Sequence, residues 1–280
     1  MWDGLVEKIR IIQQQRKPVK FLLSRILMRL NLSHYLVIRK GDYFLRFYPT
    51  ALSASLWINP NDRIGDEIFF QAYLKPGDAV IDVGANIGEL TLLSARLVQS
   101  EGQVYSIEAH PEIFSYLKKN TEENRIQNVQ LFNLALGEQS GTIHFSNISA
   151  DDQNAVLLDH QGLAVEMDLL DRLPIEEDMI HLLKIDVEGY ELPVLRGAEH
   201  TLSRVQCIYL ECFQRHFQKY GYSCRDLFSF LLERNFRLYH FSGGRSLKRI
   251  PLEYEPPFVE NILAIRDVEN FRQRTGYVLE

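Results

Sequence analysis

The sequence predicts an α/β protein built on a mostly parallel β-sheet with helices on both faces. Short apolar runs at 79–83, 103–108, 128–134, 180–186, 205–211, 235–241 and 259–266 give seven strand candidates. Segments of helical period lie between most of them, at 87–99, 111–124, 190–202 and 222–234. Strands alternating with helices of this size form a parallel sheet covered on both sides. Only "SGGRSLKRIPLEYEPP" joins the last two strands. A connection without a crossover helix predicts an antiparallel pair at the sheet edge.

Before the first strand of the sheet, Val19, Leu22, Leu23, Ile26, Leu27 and Leu30 follow the spacing of one helix face. "LVIRKGDYFLRFYP" predicts a hairpin turning at Lys40-Gly41-Asp42, and 62–74 a short helix ending before Pro76-Gly77. These features divide the chain into an extension, 1–60, and a main α/β domain, 61–280. After the third strand, "GTIHFSN" and "LAVEMD" predict an inserted pair of strands, and "SADDQN" (149–154) a polar loop.

With 46% hydrophobic and 24% charged residues the chain reads as globular rather than disordered. Three cysteines without a CxxC pair predict no disulfide framework and a reducing, cytoplasmic setting. The net charge of −6 conceals a basic head: residues 1–50 carry ten Lys/Arg against three acids. Arg25 and Arg29 interrupt "FLLSRILMRL", which argues against a signal peptide, and no run reaches the roughly 20 apolar residues that span a bilayer. Two readings remain for the basic helix. It packs on its own domain or on a second subunit in a homodimer, or residues 1–30 attach to an anionic membrane surface. No basic-plus-aromatic module supports nucleic acid as a partner.

The stretch "DAVIDVGANIGELTLLSA" falls at the first strand-to-helix junction, where open α/β sheets gather ligands. Gly84 and Gly88 permit a tight turn and a close approach to a ligand, and the following helix offers unpaired N–H groups. A dinucleotide fingerprint fails, because Asn86 and Glu89 stand where glycines belong. Asp82 before the turn suits a ligand with a cationic end, such as the amino group and sulfonium of S-adenosylmethionine. Gly84, Ala85, Asn86 and Gly88 would form the turn around it. Glu108, about 20 residues on, stands where an acid accepts hydrogen bonds from ribose hydroxyls. Asn133 to Ala135, ending the third strand, would line the adenine pocket.

In "IHLLKIDVEGYELPVLRGA", alternation puts Leu182, Lys184, Asp186 and Glu188 on one side of the fourth strand. Glu211 ends the fifth strand, with His216 just beyond. Charged side chains in a row on a central strand are costly in the interior and make sense beside a ligand. Methyl transfer to a hydroxyl requires positioning and removal of a proton. Asp186 or His216 would be the base, and Lys184 would pair with a carboxylate or steady an oxyanion. Alternatively Asp186, Glu188 and Glu211 would supply oxygen ligands to Mg²⁺.

"VIDVGANIGELTLLSA", "VYSIEAHP", "NLALGEQSGT" and "LLKIDVEGYELPVLRGA" resemble the FkbM family of S-adenosylmethionine-dependent methyltransferases over about residues 62–212. The resemblance implies a Rossmann-like, class I methyltransferase sheet of seven strands with the last reversed, and O-methylation of a hydroxyl on a sugar, glycolipid, polysaccharide or polyketide. It places Asp82, Gly84, Asn86 and Gly88 at the methionine end, Glu108 at the ribose, and Asp186 and Glu188 in the strand-four motif. The family often has an acid closely followed by histidine after strand five; here Phe213 intervenes and the histidine stands at 216. The alternatives are an N-methyltransferase, for which an Asn-Pro-Pro-Tyr-like turn after strand four is missing, and a non-catalytic nucleoside-binding accessory protein.

Overall fold

The computed structural model describes residues 17–145, 156–157 and 162–280. Pro18 opens helix α1 (Pro18–Arg29), its fixed φ suiting the first helical position. The hairpin β1 (Val37–Lys40) and β2 (Tyr43–Arg46) turns at Gly41 as expected. Then follow α2 (Ala51–Ile58), capped by the Thr50 side chain, and α3 (Ile64–Tyr73). The alternating core comprises β3 (Ala79–Val83), α4 (Glu89–Val98), β4 (Gln103–Ile107), α5 (Pro111–Glu123) and β5 (Val129–Phe132). A four-stranded insertion follows: β6 (Ala135–Leu136), β7 (Gly141–Phe145), β8 (Val156–Leu157) and β9 (Leu163–Asp168), ordered β6-β9-β7-β8. The chain returns through β10 (Ile180–Ile185), α6 (Glu191–Arg196), α7 (Glu199–Leu202), β11 (Val205–Cys212), α8 (Gln214–Gln218) and α9 (Cys224–Glu233). It ends with β12 (Arg237–Gly243), β13 (Ser246–Arg249), β14 (Glu260–Ile265), α10 (Val268–Thr275) and β15 (Val278–Leu279). The single helix expected over 190–202 is broken at Gly197 into α6 and α7.

The main sheet runs β15-β13-β12-β14-β11-β10-β3-β4-β5. Strands β11, β10, β3, β4 and β5 are mutually parallel, and β14 is antiparallel to both of its neighbours. The seven expected strands are thus present with the last reversed, in the order of a class I methyltransferase sheet. The edge placement expected for the last pair is corrected: β14 inserts between β11 and β12, and β13 and β15 extend the edge beyond them. The three cysteines are free and buried.

Alternation along each strand splits the core into two layers. Ile81, Leu183, Ile208 and Leu210 pack beneath α6, α7 and α9. Val80, Leu182 and Tyr209 face the other way, onto Phe69 and Phe70 of α3 and Leu92 of α4. Ile38, Tyr43, Leu45 and Phe47 of the hairpin and Leu56 of α2 belong to this second layer, so residues 36–58 share the core of the main sheet. A buried ion pair ties them in: Lys40 Nζ contacts Glu67 of α3 and lies 2.9 Å from Oε1 of Glu89, the first residue of α4. Glu89 therefore turns away from any ligand.

Asn120 of α5 and its C-cap residue, Asn124, cover the free edge of β2. Asn120 Oδ1 accepts from Arg46 N (2.9 Å) while its Nδ2 donates to Ile87 O (2.8 Å), and Asn124 Oδ1 accepts from Phe44 N (3.0 Å) while its Nδ2 donates to Phe44 O (2.7 Å). Asn120→Ala would strand a buried N–H and a buried carbonyl. It is expected to lower the unfolding free energy by about 2 kcal/mol, read as a lower urea midpoint at unchanged slope.

Candidate active site

A cleft of about 740 Å³ opens at the carboxyl ends of β3, β4, β10 and β11, a size typical of small-molecule sites. One half is built by the turn after β3. Gly84 adopts φ +75°, and a Cβ there would lie 1.9 Å from the Asp186 carbonyl oxygen. Glycine is required by the close approach of the backbone just past β10, at Asp186. The N–H groups expected to greet a ligand are satisfied internally. Gly84 N and Ala85 N donate to Ile107 O, Asn86 N to Glu108 Oε2, Ile87 N to Asn86 Oδ1, and Gly88 N to Ala85 O. Asn86 and Gly84 line the cleft. Ala85 is buried beside them, and Gly88 lies behind, against Leu117.

Asp82 is corrected as a ligand contact. It sits opposite Lys184 in the β3–β10 register, 3.1 Å from Lys184 Nζ, and accepts from Thr91 Oγ1 at 2.6 Å, fully inside the protein. Lys184 is likewise behind the wall. Its ammonium donates to Gly84 O (2.7 Å) and Val83 O (3.3 Å) and holds the turn closed. Such mutual neutralisation is what makes two buried charges tolerable.

Glu108 does line the cleft. Its carboxylate accepts from Asn86 N at 2.9 Å and His110 N at 2.8 Å, leaving each oxygen a second lone pair. Burial pushes its pKa up to about 7 despite those two donors. Ala135 lines the cleft, together with Leu134. Asn133 does not: it is exposed, and its amide ties Glu108 O and Ala109 O together from outside. His110 is 5% exposed and lines the cleft with neither ring nitrogen hydrogen-bonded. A buried imidazole without partners is costly unless a ligand supplies them.

The other half gathers ionisable groups. Asp186 lies 3.5 Å from Arg63 Nη2 and 3.7 Å from Lys184 Nζ. Burial pushes its carboxyl up, but these cations prevail and hold it below the ordinary range. Arg63, just before α3, is paired to Asp66 at 2.8 Å; nothing in its sequence surroundings marks it as a site residue. Beyond Asp186 the chain leaves strand geometry. Glu188 is left-handed (φ 55°), and Gly189 (φ +103°) brings the backbone against His216, where a Cβ would meet the carbonyl oxygen at 2.7 Å. Glu191, fully buried, accepts from Val187 N and Gly189 N and fixes this bend. Burial, reinforced by nearby Glu211, pushes its pKa up to about 8.

The bend delivers Glu188 to the same point as Glu211 and His216. His216 Nδ1 lies 3.1 Å from Glu211 Oε1 and 3.5 Å from Glu188 Oε2. The first turn of α8 restores the contact that the spacing to position 216 put in question. Burial raises the Glu211 pKa, and the hydrogen bond to His216 opposes that rise. Glu188, Glu211 and His216 each offer a ligand atom within 4.8 Å of the others. One nitrogen among them departs from the oxygen shell Mg²⁺ prefers. The all-oxygen set expected from the sequence is not assembled among the described residues, since Asp186 is committed to Arg63 and Lys184.

The chain is 40% identical over 55 residues to a protein-L-isoaspartate O-methyltransferase of Aeropyrum pernix, covering 20% of this chain and 21% of that one. It is 29% identical over 139 residues to the hexuronic acid methyltransferase AglP of Haloferax volcanii, covering 48% of this chain and 55% of the relative. The chain thus spans about half or less of the length of these relatives. A solved structure, methyltransferase FkbM from Methylobacillus flagellatus KT, aligns at 16% identity with a TM-score of 0.44, over 76% of this chain and 54% of the other. The model of the methyltransferase FkbM domain matches residues 82–238, from the end of β3 to the start of β12 and more than half of the chain. The protein belongs to the FkbM family of methyltransferases.

Proposed function

We propose that this protein transfers a methyl group from S-adenosylmethionine to a hydroxyl of a sugar, on a glycan or lipid-linked acceptor, with the Glu211–His216 pair as general base. The observation that carries this reading is the 3.1 Å contact between His216 Nδ1 and Glu211 Oε1 at the wall of the cleft. A carboxylate can only accept, so Nδ1 carries the proton and Nε2 keeps the lone pair that takes a hydroxyl proton.

The other half of the cleft fits the cofactor. Glu108 has lone pairs for both ribose hydroxyls, and His110 has a buried ring that is both donor and acceptor for the adenine edge. S-adenosylmethionine bound there supplies an electrophilic methyl group on a positively charged sulfur. Asp186, kept ionised by Arg63 and Lys184, is a poor base and a good fixed anion. In this reading it faces the cationic end of the cofactor, the role expected of Asp82. His216 removes the acceptor proton as the oxygen–carbon bond forms and the sulfur–carbon bond breaks. A sugar acceptor is supported by hydrogen-bonding groups around the cleft, Ser55, Asp62, Arg63, Tyr190 and Lys219, and by the hexuronic acid methyltransferase among the relatives.

The test is transfer of tritiated methyl to uronic-acid glycans, neutral glycans, lipid-linked glycans and matched amino sugars. Label on a hydroxyl, lost with His216→Ala, is the expected result. Label confined to amines overturns the O-methylation reading, and cofactor binding without transfer to any acceptor favours an accessory protein.

A further inference from the structure

The apolar stripe of α1 does not do what an amphipathic helix in a globular protein normally does. Its buried position is Ser24, fully enclosed, with Phe21, Leu27 and Met28 half-buried at its sides. The stripe itself points outward: Val19 is 77% exposed, Ile26 53% and Leu30 61%, with Leu22 and Leu23 also exposed. Leu32, Tyr35 and Val37 continue the patch beyond the helix. These are eight of the fifteen exposed large hydrophobics among the described residues, packed into a single stretch, 19–37. Apolar surface concentrated in this way marks an interaction site.

We propose that this face of α1 and the segment up to Val37 dock the protein on an anionic lipid bilayer. Charge decides the occupant. Residues 17–41 contain six Lys/Arg and no Asp or Glu. By helical geometry Arg25 and Arg29 run along one border of the stripe and Lys20 lies on the other, so an apolar strip is fringed by cations on both sides. That pattern matches acyl chains beneath negative headgroups. It opposes a symmetric dimer through the same face, which would set these cations against their own copies. The contact is peripheral, since no helix among the described residues is long and apolar enough to cross a membrane.

The helix is held rigidly enough to transmit a docking orientation. Lys17 Nζ donates to Ile58 O and Lys20 Nζ to Trp57 O, pinning α1 to the end of α2. The same helix α2 contributes Ala51, Leu52 and Ser55 to the cleft. Docking through α1 therefore places a wall of the cleft close to the headgroups, which, on the reading of the acceptor given above, favours a sugar carried on a lipid.

The experiment is sedimentation of the full chain with vesicles of phosphatidylcholine alone and of phosphatidylcholine mixed with phosphatidylserine, with S-adenosylmethionine affinity and melting temperature measured in parallel. Binding to the mixed vesicles only, weakened about fivefold by each of Arg25→Gln and Arg29→Gln and further by added salt, is expected. The triple variant Leu22→Ser, Leu23→Ser, Ile26→Ser is expected to lose vesicle binding while keeping its melting temperature and cofactor affinity. Three results overturn the proposal: no vesicle binding by the wild type, equal binding to both vesicle types, or a wild-type dimer that the triple variant dissociates without any vesicle association. Because cofactor affinity is read separately, failure here leaves the methyltransferase reading standing, and failure of that reading leaves this one testable.

Discussion

His216→Ala is expected to lower kcat by about 10²- to 10⁴-fold, the usual worth of a positioned general base, while leaving S-adenosylmethionine affinity at its wild-type value. The separation follows from the cleft's two halves. His216 touches Glu211 and Glu188 and shares no hydrogen bond with Glu108 or the glycine turn. Glu211→Gln is the companion test. A glutamine amide can offer Nδ1 an N–H donor, which stabilises the tautomer with the proton on Nε2 and removes the lone pair from the cleft. Turnover should fall by up to about 10⁴-fold, as when a carboxylate behind a catalytic histidine is replaced by its amide. If instead Glu188, Glu211 and His216 worked by holding a divalent ion, dialysis against a chelator would abolish turnover and an added ion would restore it. With Nδ1–H spent on Glu211, chelation is expected to leave turnover intact. Full turnover by His216→Ala would remove the imidazole from the reaction.

The sequence carries the β/α alternation of this fold in plain form, because strands buried on both faces must be apolar and the helices covering them must be striped. What it hides is register. Asp82 reads as a charge looking for a cationic ligand, and Lys184 as a partner for a carboxylate or an oxyanion; the register makes them direct neighbours across β3 and β10, so that they satisfy each other. Alternation told correctly that Lys184 shares a side with Leu182, but it cannot say where the strand stops. Strand geometry ends at Ile185, and the left-handed backbone at Glu188 sends that carboxylate to His216 rather than into the Lys184 row. Arg63 and His110 were illegible for different reasons. Arg63 reaches Asp186 from more than a hundred residues away, and His110 precedes a proline at a helix start, a setting with an ordinary structural explanation. The stripe of α1 was legible as a stripe, but period alone does not distinguish a face turned to the protein from one turned to another apolar phase. Ser24 and the lysines bonded to α2 made that choice.

If Glu108 holds the ribose as proposed, Glu108→Gln is expected to weaken S-adenosylmethionine binding by about 100-fold, from the loss of charge-assisted hydrogen bonds, and to remove a pH dependence that the wild type should show. Burial has raised the carboxyl from an ordinary 4.5 to about 7 in the free protein. Only the ionised form accepts from both hydroxyls, so wild-type affinity should be flat above pH 7 and fall about tenfold for each pH unit below it. The sign for stability is the opposite. A carboxyl raised in the folded state binds its proton more tightly there than in the unfolded chain. Its contribution is therefore fully present below pH 4.5 and is lost as pH rises through about 7. The free enzyme should then gain stability from this group as pH falls through neutrality, while its hold on the cofactor loosens. Calorimetric titrations and melting curves between pH 5.5 and 8.5, in wild type and Glu108→Gln, separate the two effects. Cofactor affinity that is independent of pH in the wild type, or unchanged by the substitution, would detach Glu108 from the ribose and leave the nucleoside half of the cleft without its anchor.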